Sequence, residues 1–152
     1  MLEHGPLEHT YDTILLIDDN DIDNFVASGI ITKLGAAKKI ISKTSAEDGL
    51  TYLKSCLENN LPLPEIIFLD IRMPLMDGFG FLREFEKLPQ AAHAACSIFI
   101  LSSSVDSRDI ERAKGNPFVL SFITKPLSFQ NFEMALSLLS IHKTTSHPES
   151  AQ

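Results

Sequence analysis

The sequence predicts an α/β domain with a doubly wound parallel sheet of five strands and helices on both faces. Two observations support this fold class. Short apolar runs alternate along the chain with amphipathic stretches, the order expected of a parallel sheet covered by helices. The clearest runs are also bounded by turn or charged residues, as buried strands are, at positions 14–17, 66–69 and 119–124.

The first half of the chain contains three predicted strands and two helices. After the strand at 14–17, apolar residues recur at helical spacing until Gly35, which supplies a helix stop. These apolar residues are Ile22, Phe25, Val26, Ile30 and Leu34. Residues 39–43 form a short second strand, and Ser45 is the expected N-cap of a second helix. The inward residues of that helix are Leu50, Leu53 and Leu57, and residues 66–69 are the third strand.

The second half alternates helices and strands in the same way. A helix with Phe79, Leu82 and Phe85 on its apolar face ends or breaks at Pro89, and the alanine-rich residues 90–96 receive no assignment. Residues 97–101 and 119–124 are the fourth and fifth strands, with a helix at 107–114 between them. Ser128 caps a last helix, whose inward residues are Phe132, Leu136 and Leu139.

One domain accounts for the chain. It has 152 residues, enough to bury a substantial core, and it shows no internal repeat, second composition or long linker. We expect an N-terminal extension at 1–12, the folded domain at 13–143 and a flexible polar tail at 144–152.

Charge and hydropathy argue against several classes of function. The net charge is −7 without any basic run, which argues against binding to nucleic acid or to an anionic membrane. No apolar stretch approaches the roughly 20 residues that span a bilayer, and the polar N-terminus does not resemble a signal peptide. Cys56 and Cys96 lack the spacing of a metal or redox motif, so we expect a reduced, cytoplasmic protein.

Charged residues stand where the predicted strands end. Asp18 and Asp19 follow the first strand, Asp70 follows the third and Lys125 follows the fifth, while Ser102 follows the fourth. In open α/β sheets, ligands bind beyond the carboxyl ends of the strands, so these side chains should meet at one edge. Three carboxylates in one place repel one another unless a cation lies among them, and Mg2+ prefers oxygen ligands of this kind.

Each of these features also has an ordinary structural explanation. Asp18 and Asp19 could simply cap a helix, Asp70 could be a turn residue, and Ser102 lies in a serine-rich loop. Lys125 and the following proline are a common turn pair. Their occurrence at equivalent ends of four strands favours a shared site, because independent structural accidents would not select one edge of the sheet.

Four motifs together resemble the receiver domain of two-component response regulators. They are LIDDN at 16–20, LDIRMP at 69–74 with a following Asp-Gly pair at 77–78, LSS at 101–103, and TKP at 124–126. They occur in the order and spacing of that family over roughly residues 13–143. The resemblance is to the stand-alone, chemotaxis-receiver-like type, and it implies the flavodoxin-like strand order 2-1-3-4-5.

The resemblance also implies roles for individual residues. Asp70 would be the phosphoacceptor, and Lys125 would contact the phosphoryl group. The residues that would hold Mg2+ (or Mn2+) are Asp19 and Asp70 directly, Asp18 through water, and the backbone carbonyl of Arg72. Ser102 would reach for the attached phosphoryl group, Phe122 would be the switch aromatic, and the Lys125–Pro126 bond would be cis.

A function follows from these implied roles. The domain would take a phosphoryl group from a histidine kinase or phosphotransfer protein and would signal to an unidentified downstream protein through a changed binding surface. It would catalyse its own phosphorylation and dephosphorylation rather than turn over a separate substrate. Because Arg72 and Ser104 flank the expected path of the attacking water, we hypothesise that they set the rate of dephosphorylation.

Two alternatives belong to other classes of function. A receiver-like interaction scaffold would not take phosphate, and the complete set of acids, hydroxyl and lysine argues against it. A Mg2+-dependent phosphatase with an aspartyl nucleophile would need a second acid two residues after Asp70, where Arg72 stands.

Overall fold

The computed structural model describes the backbone of residues 10–146 and the side chains of residues 10–141. Its first strand begins at Tyr11 and its last helix ends at Ser146, so the boundaries predicted at 13 and 143 fall inside these two elements. Most of the expected N-terminal extension, at 1–9, and the end of the expected tail, at 147–152, lie outside the described residues.

Five parallel strands form one sheet in the order β2-β1-β3-β4-β5, which confirms the predicted fold class and the strand order that the resemblance implies. The strands are β1 Tyr11–Ile17, β2 Ala37–Lys43, β3 Ile66–Leu69, β4 Ser97–Ser102 and β5 Val119–Thr124. The helices are α1 Asp21–Lys33, α2 Ala46–Glu58, α3 Gly78–Glu86, α4 Gln90–Ala95, α5 Ser107–Lys114 and α6 Phe129–Ser146.

Side chains alternate across the sheet between two apolar cores, as the period of a β-strand requires. In β1, Ile14 and Leu16 join the core covered by α1 and α6, whereas Leu15 and Ile17 join the core covered by α2 to α5. The central strand β3 is buried along its whole length. The sheet is thus covered on both faces, and its carboxyl edge is the place where polar groups collect.

Local signals end and begin several helices where the sequence predicts. Gly35 has φ of +63° just beyond α1, a conformation that glycine adopts without the steric cost of a side chain. The Ser45 hydroxyl accepts a hydrogen bond from the Asp48 N–H at 3.0 Å and caps α2. The unassigned stretch after Pro89 contains the short helix α4, and His93 of this helix lies within 2.9 Å of the Phe85 carbonyl oxygen.

Helix α1 is rotated relative to the sequence prediction. Ile22 and Phe25, expected in the core, are 72% and 79% exposed, while Asn24 and Ala27 are buried instead. The cause is polar, because the buried Asn24 side chain donates a hydrogen bond of 2.9 Å to the Asp18 carbonyl oxygen. The predicted apolar face is therefore wrong for the first two turns, where Val26 is also exposed, although Ile30 and Leu34 do pack inward.

No helix in the described part of the chain is both long and apolar enough to cross a membrane.

The rotation of α1 predicts a contrast between two phenylalanines. Phe25→Ala should change the free energy of unfolding by no more than about 0.5 kcal/mol, because an exposed ring loses little on truncation. Phe132→Ala should cost about 3–5 kcal/mol, because that ring is fully buried against Phe68. Urea unfolding of both variants measures the difference. A loss above about 2 kcal/mol for Phe25→Ala would mean that the ring packs in the core.

Candidate functional site

The acids that end β1 and β3 are neighbours because the two strands pair in register. Ile17 lies opposite Leu69, and the Asp70 N–H donates a 2.9 Å hydrogen bond to the Ile17 carbonyl oxygen. Asp18 and Asp70 are therefore placed side by side, and each is about 5% exposed. With the exposed Asp19, they bring three carboxylate oxygens within 4.8 Å of one another.

Lys125 completes this cluster from the end of β5. Its N–H donates to the Ser102 carbonyl oxygen at 2.9 Å, which extends the pairing of β4 and β5 to the site. Its ammonium lies 2.6 Å from Asp18, 2.8 Å from Asp23 and 3.5 Å from Asp70. Burial by itself would lower the pKa of Lys125, but the hydrogen bonds to Asp18 and Asp23 and the charge of Asp70 raise it above its usual value.

The negative charge of Asp70 is only partly compensated by its surroundings. Burial and the neighbouring charge of Asp18 raise the pKa of Asp70 to about 6, although Lys125 and a hydrogen bond from the Ile71 N–H oppose the shift. The opposing groups are thus insufficient to offset burial. A set of carboxylate oxygens with excess negative charge, one of them exposed, fits Mg2+, which takes oxygen ligands and retains several waters.

The cap of α1 argues against the simplest structural explanation of the two adjacent acids. Asn20 caps the helix, and its side-chain oxygen accepts hydrogen bonds from the N–H groups of Ile22 and Asp23 at 2.9 and 3.1 Å. Asp18 instead accepts a hydrogen bond from the Asn20 N–H. Both carboxylates that follow β1 therefore lie before the capping position.

The loop after β3 is held against Asp70 by a close backbone approach. The Gly78 N–H donates to the Ile71 carbonyl oxygen at 2.8 Å, and a Cβ at Gly78 would lie 2.5 Å from the carbonyl oxygen of Asp70. Asp77 caps α3 through the Gly80 N–H at 2.8 Å. Only glycine fits at 78 without a shift of this backbone, and the approach holds the start of α3 against Asp70 and Ile71.

A second polar cluster bridges the loops that follow β3 and β4. The Arg72 guanidinium donates to Asp109 on α5 at 2.6 Å, and the Ser104 hydroxyl donates to the same carboxylate oxygen at 2.9 Å. Ser102, fully buried, accepts a hydrogen bond from the Ser104 N–H at 3.1 Å. The two residues expected to tune the rate are thus joined through one acid.

The remaining predicted residues lie on or after β5. Phe122 is half-buried, pairs with Ile100 in the β4–β5 ladder and packs against the core covered by α2 to α5. The Lys125–Pro126 peptide bond is cis, as the resemblance implies.

Three contributors to the site were missed by sequence reasoning, namely Asp23, Asn24 and Asp109. Asp23 and Asp109 lie in the first turns of helices, where an acid is commonly explained by its favourable interaction with the helix dipole. Asn24 follows Asp23 and lies outside the predicted apolar face, so the sequence pattern gave no signal that it would be buried. Their partners are distant in the chain or set by helix rotation, so spacing alone could not identify them.

Fold and site together define a class of protein: a doubly wound α/β domain with an acidic cluster and one lysine at the carboxyl edge of its sheet. The response regulator receiver domain model matches residues 14–137. The chain therefore belongs to the receiver domain family and is a receiver of two-component phosphorelay signalling. Members of this family interact with histidine kinases or phosphotransfer proteins.

Individual relatives agree with this assignment. The chain is 28% identical over 123 residues to a probable chemotaxis protein CheY of Rhizobium etli, covering 81% of this chain and 88% of that protein. It is 31% identical over 131 residues to hybrid signal transduction histidine kinase D of Dictyostelium discoideum, covering 84% of this chain and 8% of the kinase. A solved two-component response regulator from Cytophaga hutchinsonii superimposes with a TM-score of 0.77 at 30% identity, covering 86% of this chain and 98% of that one.

The raised pKa predicts that Asp70→Asn stabilises the metal-free protein. The folded-state value of about 6 exceeds the unfolded value of about 3.9, so at pH 7 the ionised carboxylate costs about 1–3 kcal/mol. Stability is regained as the pH falls through 6 and Asp70 takes up a proton, so the advantage of the variant should shrink by about half at pH 5. Urea unfolding of both proteins in EDTA, at pH 7 and at pH 5, measures this difference in the free energy of unfolding.

The matched control for this charge change is Asp21→Asn, which removes an exposed acid in α1. It should show no comparable gain. A variant Asp70→Asn that is less stable than the wild type at pH 7 would contradict the expectation.

Proposed function

We propose that Asp70 accepts a phosphoryl group from a histidine kinase or phosphotransfer protein in a Mg2+-dependent reaction. The observation that carries this proposal is the position of Asp70, a buried carboxylate beside two further acids and one lysine at the carboxyl edge of the sheet. The signal would pass to a downstream protein through a changed binding surface. The cytoplasmic location expected from the sequence remains a prediction.

Residues of the acidic cluster would hold the cation. Asp19 and Asp70 would bind it directly, Asp18 through a water molecule, and the backbone carbonyl of Arg72 would complete the protein ligands. Mg2+ (or Mn2+) supplies positive charge that offsets the carboxylates and the phosphoryl oxygens. The exposure of Asp19 and the proximity of its carboxylate to those of Asp18 and Asp70 support the carboxylate part of this assignment.

Phosphoryl transfer relies mainly on positioning and charge neutralisation. One Asp70 oxygen forms a bond to phosphorus in line with the phosphorus–nitrogen bond of a phosphohistidine, which breaks and returns its electron pair to the imidazole. Lys125 stabilises the negative oxygens of the phosphoryl group during this transfer. The product is an acyl phosphate on Asp70, which water later hydrolyses.

Ser102 and Phe122 would convert this chemistry into a surface change. The buried Ser102 hydroxyl accepts a hydrogen bond from the Ser104 N–H, and it would turn toward the new phosphoryl group and donate a hydrogen bond to it. Phe122, half-buried on the neighbouring strand, would then fill the vacated space. Such a switch is a population shift driven by contacts that only the phosphorylated state offers.

The geometry favours this function over a phosphatase. The position two residues after Asp70 is filled by Arg72, which pairs with Asp109 and leaves no acid there for a leaving group. The interaction scaffold that takes no phosphate differs from our proposal in one measurable property, the labelling of Asp70.

Labelling with a small phosphodonor tests the proposal. Incubation with acetyl phosphate and Mg2+ should add one phosphoryl group, detectable by intact-protein mass spectrometry. Asp70→Asn should reduce labelling at least about 100-fold because the attacking oxygen is lost, and EDTA should abolish it. Asp21→Asn, with the same charge change at an exposed position, should label normally. Unchanged labelling of Asp70→Asn, or none of the wild type, would refute the proposal.

We further propose that Arg72 and Ser104 set the phosphoryl lifetime. Both are held by Asp109 across the loops that follow β3 and β4. In this position they would restrict the approach of water to phosphorylated Asp70. Arg72→Ala and Ser104→Ala should each shorten the lifetime of the labelled protein about two- to tenfold. Decay of the label after removal of the donor measures this. The control is Arg108→Ala, which breaks an exposed ion pair with Asp106 and should leave the lifetime unchanged.

An unaltered lifetime in both test variants would remove the idea.

A further inference from the structure

Lys125 is shared among three carboxylates. An ammonium group has three N–H donors, and Asp18, Asp23 and Asp70 offer one acceptor each. The distances are unequal, since the nitrogen lies 2.6 Å from Asp18 and 2.8 Å from Asp23 but 3.5 Å from Asp70. The last value exceeds the usual hydrogen-bond range. Lys125 is therefore held by the two other acids at the expense of Asp70.

Asp23 differs from the other two partners in its origin. It lies on α1 rather than at a strand end, and it is separated from Lys125 by 102 positions in the chain. Its N–H is fixed by the Asn20 cap, and the neighbouring Asn24 side chain ties the same turn to Asp18. The rotation of α1 that exposes Ile22 thus also turns Asp23 toward the site. Asp23 lines one small cavity together with Asp18 and Asp70.

A role in helix stability alone does not account for the contact between the Asp23 carboxylate and the Lys125 ammonium. An acid in the first turn of a helix interacts favourably with the helix dipole wherever its side chain points, and the exposed Asp21 already fills that position in α1. The Asp23 carboxylate instead contacts Lys125, the cation that the proposed reaction needs, and that lysine is only 10% exposed.

We infer that Asp23 is a positioning residue that competes with Asp70 and its phosphoryl group for Lys125. This inference rests on the function proposed above. In the unphosphorylated protein, Asp23 holds the ammonium away from Asp70. When the phosphoryl group arrives, Lys125 transfers its hydrogen bond from Asp23 to a phosphoryl oxygen. Asp23 is then released, so α1 loses its ion pair with the lysine that follows β5 when Asp70 is phosphorylated. Asp23 thereby slows phosphorylation and links α1 to the state of the site.

The expected size of the effect follows from the exposure of the pair. Asp23 is 37% exposed, and ion pairs that retain contact with water are worth up to about 1 kcal/mol, equivalent to about a fivefold change in rate. Asp23→Asn removes the charge with little change of shape. We expect this variant to be phosphorylated about two- to fivefold faster than the wild type.

The experiment compares initial rates of labelling by acetyl phosphate with Mg2+ for the wild type, Asp23→Asn and Asp21→Asn. Asp21→Asn makes the same charge change two residues before Asp23, on the same turn of α1, and should keep the wild-type rate. Asp23→Asn should raise the labelling rate at saturating donor and leave unchanged the donor concentration that gives half of this rate. A general effect of charge on the binding of an anionic donor would instead change that concentration.

The possible outcomes distinguish failure of this inference from failure of the proposed phosphorylation of Asp70. No label on the wild type would overturn both. A labelled wild type with Asp23→Asn equal or slower, or with Asp21→Asn equally accelerated, would overturn the role of Asp23 alone. Urea unfolding of Asp23→Asn tests whether a faster labelling rate comes indirectly from a gain in stability. Loss of an ion pair should leave this variant no more stable than the wild type. A faster variant of unchanged or lower stability supports competition for Lys125.

Discussion

The mutual repulsion of Asp18 and Asp70, balanced incompletely by Lys125, is the constraint on which the rest of the site depends. The sheet register forces the two acids together, since they follow paired strands. Burial intensifies their repulsion because little water remains to screen it. The surrounding structure offsets part of the Asp70 charge through Lys125 and a hydrogen bond from the Ile71 N–H. The excess charge that remains is what makes the site receptive to a cation.

Several features away from the acids follow from this arrangement. The Asn24 hydrogen bond to the Asp18 carbonyl fixes the rotation of α1, and this rotation leaves Phe25 in solvent. The absence of a side chain at Gly78 lets α3 begin directly against the Asp70 backbone. Burial of apolar side chains in α1, and the presence of any side chain at position 78, thus give way to the geometry of the site. Such local costs are typical where a fold holds a functional cluster.

Much of the fold and the centre of the site can be predicted because both depend on strand pattern. Buried strands must be apolar and short, so the apolar runs locate β3 and β5 at their observed limits. Parallel strands end at one edge of the sheet, and this rule alone predicts that Asp70 and Lys125 lie near each other. Helix α4 escapes prediction because its six residues, mostly alanine, show no amphipathic period. Its position depends on Pro89 and on the contact of His93 with α3.

The sequence by itself determined the five strands, every helix except α4, the covering of both faces of the sheet by helices, and the strand ends at which the acids and the lysine stand. Only the tertiary structure decided that Lys125 lies closer to Asp23 than to Asp70, and that Asp109 joins Arg72 to Ser104. The reason is physical. Apolar periodicity is a local property repeated along the chain, whereas each ion pair depends on helix rotation and on distances of a few ångströms between elements far apart in sequence.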